Sequence, residues 1–443
     1  MESKQDDKLH SNRSPGQSFW SEDVIDETSI ETKDPVMAGV RKYNLAQRDL
    51  FINKDEINIL VLYTGGTLGM SKVNGSYVPI KNWLLQKLHS NNLFYDEQYS
   101  KLKHKEGTSC TPKTYRGNRL RYHINEFDPL IDSSELNSRY YAKIAEAIEK
   151  EYDNYDSFIV IYGTDTMAYM ASQLSFMFEN LSKTIWFTGS QIPISEWRND
   201  AISNLIGSFT VAEHRIPEVC VFFNGVLLRG NRTCKESSTM FKAFGSPNFP
   251  ELATFDVFLN YRKDLILKPP KDADKFMVFK DLERKIAVVY VHPMITSSIF
   301  LSAFKRAKAI ILQTYGMGNF PLSRVDLVEI IEDAIKKYRK TVVIVSQCRK
   351  GFVRGNYASC VELCKLGVIL AEDMTLESVI AKLAYILGKG YRGSDVEKMM
   401  LTNLRGEISI DTEVTGTERN DEKLSKFMED FEDKLDTQNI KDL

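Results

Sequence analysis

Short apolar runs alternate with helix-patterned stretches through the middle of this chain, and that alternation constrains the fold more than any other feature. The runs are Ile57–Tyr63, Phe158–Tyr162, Ile185–Phe187, Val219–Phe223, Ile286–Val291, Ala309–Leu312, Val342–Val345 and Val368–Ala371. Runs this short, without polar alternation, fit strands buried on both faces, as in parallel sheets covered by helical crossovers. The pattern breaks between Tyr261 and Arg284, a charged stretch carrying Pro269 and Pro270. The expectation is an α/β protein of two domains: a larger parallel-sheet N-terminal domain over residues 51–260, a linker over 261–284, and a smaller α/β C-terminal domain over 285–405. A chain of 443 residues with 43% hydrophobic content has apolar material for both cores.

The two ends read differently. Residues 1–50 are rich in Ser, Asp, Glu and Lys and broken by Pro15 and Pro35, a composition that lacks the material for a core and predicts a disordered extension. Residues 406–443 form a charged tail in which Leu424, Phe427, Met428, Phe431 and Leu435 share one stripe at helical spacing, an amphipathic helix that would rest on its own domain or seek a partner. A formal net charge of −2, with no long basic cluster, argues against a nucleic-acid or membrane surface. The N-terminus is charged where a signal peptide needs an apolar core, and no run is long enough for a membrane span, so a cytoplasmic protein is expected. Its six cysteines include no CxxC pair, which fits reduced thiols and gives no zinc motif. A small-molecule ligand is the remaining expectation.

In open α/β sheets ligands bind beyond the carboxyl ends of the strands, so the residues just after each run carry the information. After Ile57–Tyr63 come Thr64, Gly65, Gly66 and Thr67, where two glycines let a ligand approach the backbone and Thr67 offers a hydroxyl. This is neither a P-loop, which needs a Lys followed by Ser or Thr, nor a dinucleotide fingerprint, which needs three spaced glycines. After Phe158–Tyr162 come Gly163, Thr164, Asp165 and Thr166; after Ile185–Phe187, Thr188, Gly189, Ser190 and Gln191; after Val219–Phe223, Arg229, Gly230, Asn231 and Arg232, with Lys235 beyond. Hydroxyls, a carboxylate and a lysine are thus predicted at one mouth. A hydroxyl is a poor nucleophile at neutral pH and needs a proton acceptor and an oxyanion donor, which such a set can provide.

These four motifs, in this order and spacing, resemble the L-asparaginase family, specifically its cytosolic type I branch. The resemblance runs from about Ile57 to Gly388 and includes Tyr315-Gly316-Met317-Gly318-Asn319 and Ala371-Glu372-Asp373-Met374-Thr375. It implies hydrolysis of the side-chain amide of L-asparagine to aspartate and ammonia, without a cofactor or metal. By motif position it implies Thr67 as nucleophile, Thr164, Asp165 and Lys235 as a triad-like cluster across the substrate, and Tyr77 as the tyrosine of a closing loop. Asp132, Ser133 and Ser134 match the loop that holds the substrate α-carboxylate; read alone they form a helix cap, and the two roles are compatible. Thr164 and Asp165 also bind substrate in this scheme, and Asn319 reaches the site from a neighbouring subunit, implying a homodimer or homotetramer with shared active sites.

Three positions depart from the pattern. Tyr162 stands where the family has histidine, Cys234 where it has threonine, and Gln313 where bacterial type I members have arginine. Tyr162 is expected to alter the packing beneath the site. The other two positions help form an asparagine effector site in bacterial members, so the resemblance does not carry that cooperativity to this chain. Other readings stay open: a lysophospholipase cutting an ester with the same nucleophile, the amidase subunit of a tRNA-dependent amidotransferase, and a non-catalytic amide-binding protein.

Overall fold

The computed structural model describes residues 50–409, apart from 105–107, 258, 272, 273 and 356. The N-terminal extension and the Leu424–Leu435 stripe lie outside the described residues. The strand β1 (Glu56–Gly65) is an interior strand, third from one edge of a nine-stranded sheet. A hairpin, β2 (Met70–Val73) and β3 (Ser76–Pro79), follows it. The sheet then takes in β4 (Ser109–Cys110), β5 (Arg119–Ile131), β6 (Ser157–Ile161), and, past the short β7 (Phe178–Glu179), β8 (Thr184–Thr188), β9 (Val219–Phe223) and β10 (Val226–Arg229). A two-stranded ribbon, β11 (Cys234–Lys235) and β12 (Phe244–Gly245), precedes the last strands, β13 (Ala253–Phe255) and β14 (Leu259–Tyr261).

The sheet order is β14-β13-β10-β9-β8-β6-β1-β5-β4, with β5, β1, β6, β8 and β9 parallel and the outer strands antiparallel. Side chains of β1 alternate between two cores: Ile57, Ile59, Val61 and Tyr63 face one, Leu60 and Leu62 the other. Burial on both faces explains why β1 reads as an unbroken apolar run. From β1 the chain goes to β5 on one side and returns to β6 on the other. That reversal opens a crevice beyond the carboxyl end of β1, the position where such sheets bind ligands.

The charged stretch after Tyr261 runs back over the larger sheet. Its β15 (Met277–Val278) pairs with β7, and Phe276 stacks on Tyr152 at 3.7 Å between ring centroids. The smaller sheet follows: β16 (Ile286–Tyr290), β17 (Ala309–Thr314), β18 (Thr341–Ser346) and β19 (Ile369–Leu370), parallel and in sequential order. It has no reversal and so no switch-point crevice of its own. The helix Met167–Met177 packs against the helix Leu376–Gly388, placing Phe176 in the smaller domain's core.

Residues that composition groups with the charged tail are built into this junction. Glu407 is fully buried, pairs with fully buried Lys382 at 2.5 Å, and accepts from the backbone N–H groups of Leu404 and Arg405. Arg232 donates to the Gly406 carbonyl, to Asp373 Oδ2 at 2.7 Å and to Ser409 Oγ. Charge content marks a solvated tail only where the charges lack partners, and here each has one.

Candidate active site

Three strand ends meet without room for a Cβ between them. Gly65 (φ +128°) and Gly66 (φ +85°) hold backbone conformations that L side chains rarely adopt. A Cβ on Gly65 would lie 2.2 Å from the Ile131 carbonyl at the end of β5, and one on Gly66 would lie 2.5 Å from Gly163 Cα just past β6. A Cβ on Gly163 would lie 2.4 Å from Ser133 Oγ. This seam brings the turn carrying Thr67, the loop Asp132–Ser134 and the loop Gly163–Thr166 together at the crevice. Thr67, half-buried, opens a single 3₁₀ turn, Thr67–Gly69.

Thr164 is buried at 6% exposure, whereas Asp165 beside it is exposed. Lys235, at the end of β11, donates to Thr164 Oγ1 at 2.9 Å and to Asp165 Oδ1 at 2.7 Å. Thr164 in turn donates to Gln191 Oε1 at 3.4 Å. Gln191 is locked in that orientation because its Nε2 donates to the carbonyls of Ser237 and Met240, and its backbone N–H donates to Asp200. The Thr164 oxygen therefore accepts a hydrogen bond from a lysine on one side and points its own proton toward an amide oxygen on the other. Such a hydroxyl, flanked by an amine able to exchange its proton, suits proton relay.

Ser133 is buried, and Asp132 caps its turn by accepting from the Ser134 N–H at 3.0 Å. Tyr162, fully packed beneath, bonds Thr166 Oγ1 at 3.1 Å, and Thr166 donates to the Ser133 carbonyl at 2.8 Å. Burial pushes the Tyr162 phenol up to about 12, so it remains a neutral strut between β6 and the Asp132–Ser134 loop.

Not every expected residue joins this cluster. Tyr77 stands on the exposed hairpin β2–β3 and donates to Glu196 Oε1 at 2.9 Å, a bond that raises its phenol pKa. Asn319 sits in the smaller domain, where its Oδ1 accepts from Ser359 Oγ at 2.9 Å and its backbone N–H bonds the Tyr315 carbonyl. The motif Arg229–Arg232 faces inward: Arg229 pairs with buried Glu218 at 2.6 Å, and Asn231 donates to the Arg405 carbonyl. Those residues hold the domain junction together behind the site. Sequence reasoning missed Gln191 as the partner of Thr164 and Glu196 as the anchor of Tyr77. Gln191 itself closes one of the motifs after a strand, but nothing in that motif names its partner. Among the described residues, a Glu56, His104 and Cys110 trio converges closely enough to ligate a cation, but at the opposite end of β1.

Hydroxyls, a carboxylate and a lysine thus gather at the switch point of the larger sheet of a two-domain α/β fold, and sequence comparison says which family builds such a fold. Residues 58–266 match the family model "Asparaginase, N-terminal" and residues 285–400 the "Glutaminase/Asparaginase C-terminal domain"; the chain belongs to the asparaginase family. It is 36% identical over 364 residues to an L-asparaginase of Dirofilaria immitis, covering 80% of this chain and 61% of that protein. It is also 36% identical over 359 residues to the 60 kDa lysophospholipase of Mus musculus, covering 80% and 63%. The chain thus spans about three fifths of the length of these two relatives. The crystal structure of L-asparaginase I from Vibrio cholerae superposes with a TM-score of 0.68 at 35% identity, covering 80% of this chain and 100% of that one.

Proposed function

We propose that this chain hydrolyses the side-chain amide of L-asparagine to L-aspartate and ammonia, with the Thr67 hydroxyl as nucleophile. The observation that carries this reading is the Lys235–Thr164–Asp165 cluster, set across a backbone seam from Thr67. The substrate α-carboxylate lies against Ser133, Ser134 and the Asp132-capped turn, and its ammonium against the exposed Asp165 carboxylate. Thr67 Oγ bonds to the amide carbon as its proton passes to a neighbouring base, and backbone donors of the glycine turn meet the developing oxyanion. The C–N bond breaks as that base hands the same proton to nitrogen, which leaves as ammonia. Water, deprotonated through the Thr164–Lys235 relay, then splits the acyl–threonine ester. Tyr77 exchanges Glu196 for the substrate side when the hairpin closes, and Asn319 is supplied by a second copy in a homodimer or homotetramer.

The similarity to a 60 kDa lysophospholipase favours one second reading, in which the same hydroxyl attacks a lipid ester. One experiment separates them: product release from asparagine, glutamine and a lysophospholipid by the parent and by Thr67→Ala, with folding checked by circular dichroism. Ammonia is expected fastest from asparagine, and Thr67→Ala should lower it by several orders of magnitude. Cleavage of the lysophospholipid alone would replace the first reading with the second. A folded Thr67→Ala protein with the parent rate would overturn the nucleophile assignment.

A further inference from the structure

At the far end of β1 stands a cluster that amide hydrolysis does not use. Glu56 opens β1, His104 follows the helix Glu97–Lys103, and Cys110 lies on the edge strand β4. One carboxylate oxygen, one ring nitrogen and the thiol lie within 4.8 Å of one another. They are not solvated surface groups: Cys110 is fully buried, and the side chains of His104 and Glu56 are 11% and 25% exposed.

We propose that Glu56, His104 and Cys110 bind a borderline-soft divalent cation of the zinc type, with water in the fourth position. Three mixed N, S and O ligands plus a solvent position is an arrangement zinc accepts, and bonds of ~2.0–2.3 Å draw tetrahedral ligands to roughly 3.5 Å apart. Closing from 4.8 Å to that spacing takes side-chain rotation of about 1 Å. The surroundings already hold the ligands in place. Tyr99 donates to Glu56 Oε1 at 2.5 Å and His104 Nε2 lies 3.3 Å from the same atom. The Cys110 N–H donates to Ser100 Oγ, and its carbonyl accepts from the Asp96 N–H. Orientation of ligands by outer contacts, as by Tyr99 on Glu56 and Ser100 on Cys110, is the usual companion of a metal site.

Two arginines of β5 stand near. Arg119 is engaged by Asp96 Oδ2 at 2.7 Å and by the Thr111 carbonyl, and its guanidinium stacks on Tyr99. Arg121 acts on both Glu56 and Cys110 through its charge. With a thiolate and a carboxylate bound, a dication leaves the immediate ligand set neutral, and with Arg119 matched by Asp96 the Arg121 guanidinium alone does not expel it. The metal ties helix Glu97–Lys103 and the edge strand to β1. Since β1 has ten residues, it lies ~30 Å from Thr67 and leaves the chemistry there alone.

The test is a cobalt(II) titration of the full chain after chelator treatment, with zinc as competitor. One cobalt per chain is expected, with a thiolate-to-cobalt charge-transfer band that zinc abolishes. Cys110→Ser should remove the band and Cys348→Ser, at the exposed cysteine, should keep it. His104→Ala should weaken affinity at least tenfold while remaining folded. Absence of the band in the parent at micromolar cobalt overturns the proposal, as does a band that survives Cys110→Ser. Should Cys110→Ser fail to fold, His104→Ala decides, and unchanged affinity there overturns it.

Discussion

Replacing Lys235 by methionine is expected to uncouple activity from stability, and the structure sets the size of each effect. The Lys235–Asp165 pair is formed by side chains 20% and 63% exposed. Its loss strands no buried charge, because water solvates Asp165, so the stability cost is that of a largely exposed pair, roughly 0–1 kcal/mol. Methionine fills the volume of the lysine stem, and Thr164 keeps Gln191 as a partner. The melting temperature should fall by no more than about 2–4 °C. Turnover depends on the lost group far more strongly. A positioned acid–base residue contributes about 10²–10⁴ in rate, or roughly 3–5 kcal/mol of barrier. Ammonia release from asparagine, coupled to reductive amination of 2-oxoglutarate and followed by NADH absorbance, should show kcat down by that factor with KM within about tenfold. Lys235→Arg should restore the charge and not the rate, since guanidinium does not release its proton. A Met variant within tenfold of the parent kcat refutes the relay, and a melting temperature lowered in step with activity makes Lys235 structural.

Mixing inactive Thr67→Ala and Asn319→Ala proteins after reversible dissociation should regenerate activity, because a hybrid dimer assembles one site with both residues intact; verified hybrids that recover nothing, or a fully active parent monomer, would remove Asn319 from the site. Gly163→Ala places a Cβ 2.4 Å from Ser133 Oγ and is expected to raise KM for asparagine at least tenfold while costing about 1–3 kcal/mol of stability, measured by steady-state kinetics and urea unfolding. Glu213, at 1% exposure, has its carboxyl pKa pushed up to about 7 by burial, against which Thr114 and Arg116 act only in part. Its folded pKa exceeds the unfolded value of 4.5, so its stabilising contribution is full below pH 4.5 and is lost as pH rises through about 7. Glu213→Gln should therefore match the parent melting temperature near pH 4.5 and exceed it at pH 8, by up to about 3 kcal/mol in stability.

What the sequence disclosed followed from burial. Val219–Phe223 is one strand with those bounds, and the other apolar runs mark strands to within two residues; most are covered on both faces, while β16 reads as apolar although its Val288 and Tyr290 are exposed. The long strand β5 escaped detection. Its sequence, RLRYHINEFDPLI, alternates polar and apolar side chains next to the short edge strand β4, and carries no continuous apolar signal. Yet β5 delivers Asp132 and Ser133, so the loop was legible by motif and its support was not. Gln191 and Glu196 were hidden for a related reason. Each acts through a contact with a residue at least 27 positions away, and no local periodicity encodes such a pairing. The burial of Glu407 likewise depends on Lys382, a partner on another element.

The glycine seam has a consequence for how this crevice can change. The seam is main chain from three strand ends closed by the Ser133 side chain, and its three glycines have no side chain to shorten or exchange. Enlarging a pocket by trimming a residue is open only where a residue lines it, and at Gly65, Gly66 and Gly163 nothing remains to remove. Additions are blocked as well, since each Cβ would collide with backbone or with Ser133. In the proposed reaction, the depth at which a carbonyl meets Thr67 is therefore set by topology. Acceptance of a longer or bulkier substrate must be negotiated at the rim, through the hairpin of Tyr77 and the loops of Gln191 and Lys235, so specificity can drift while the reaction centre stays in place.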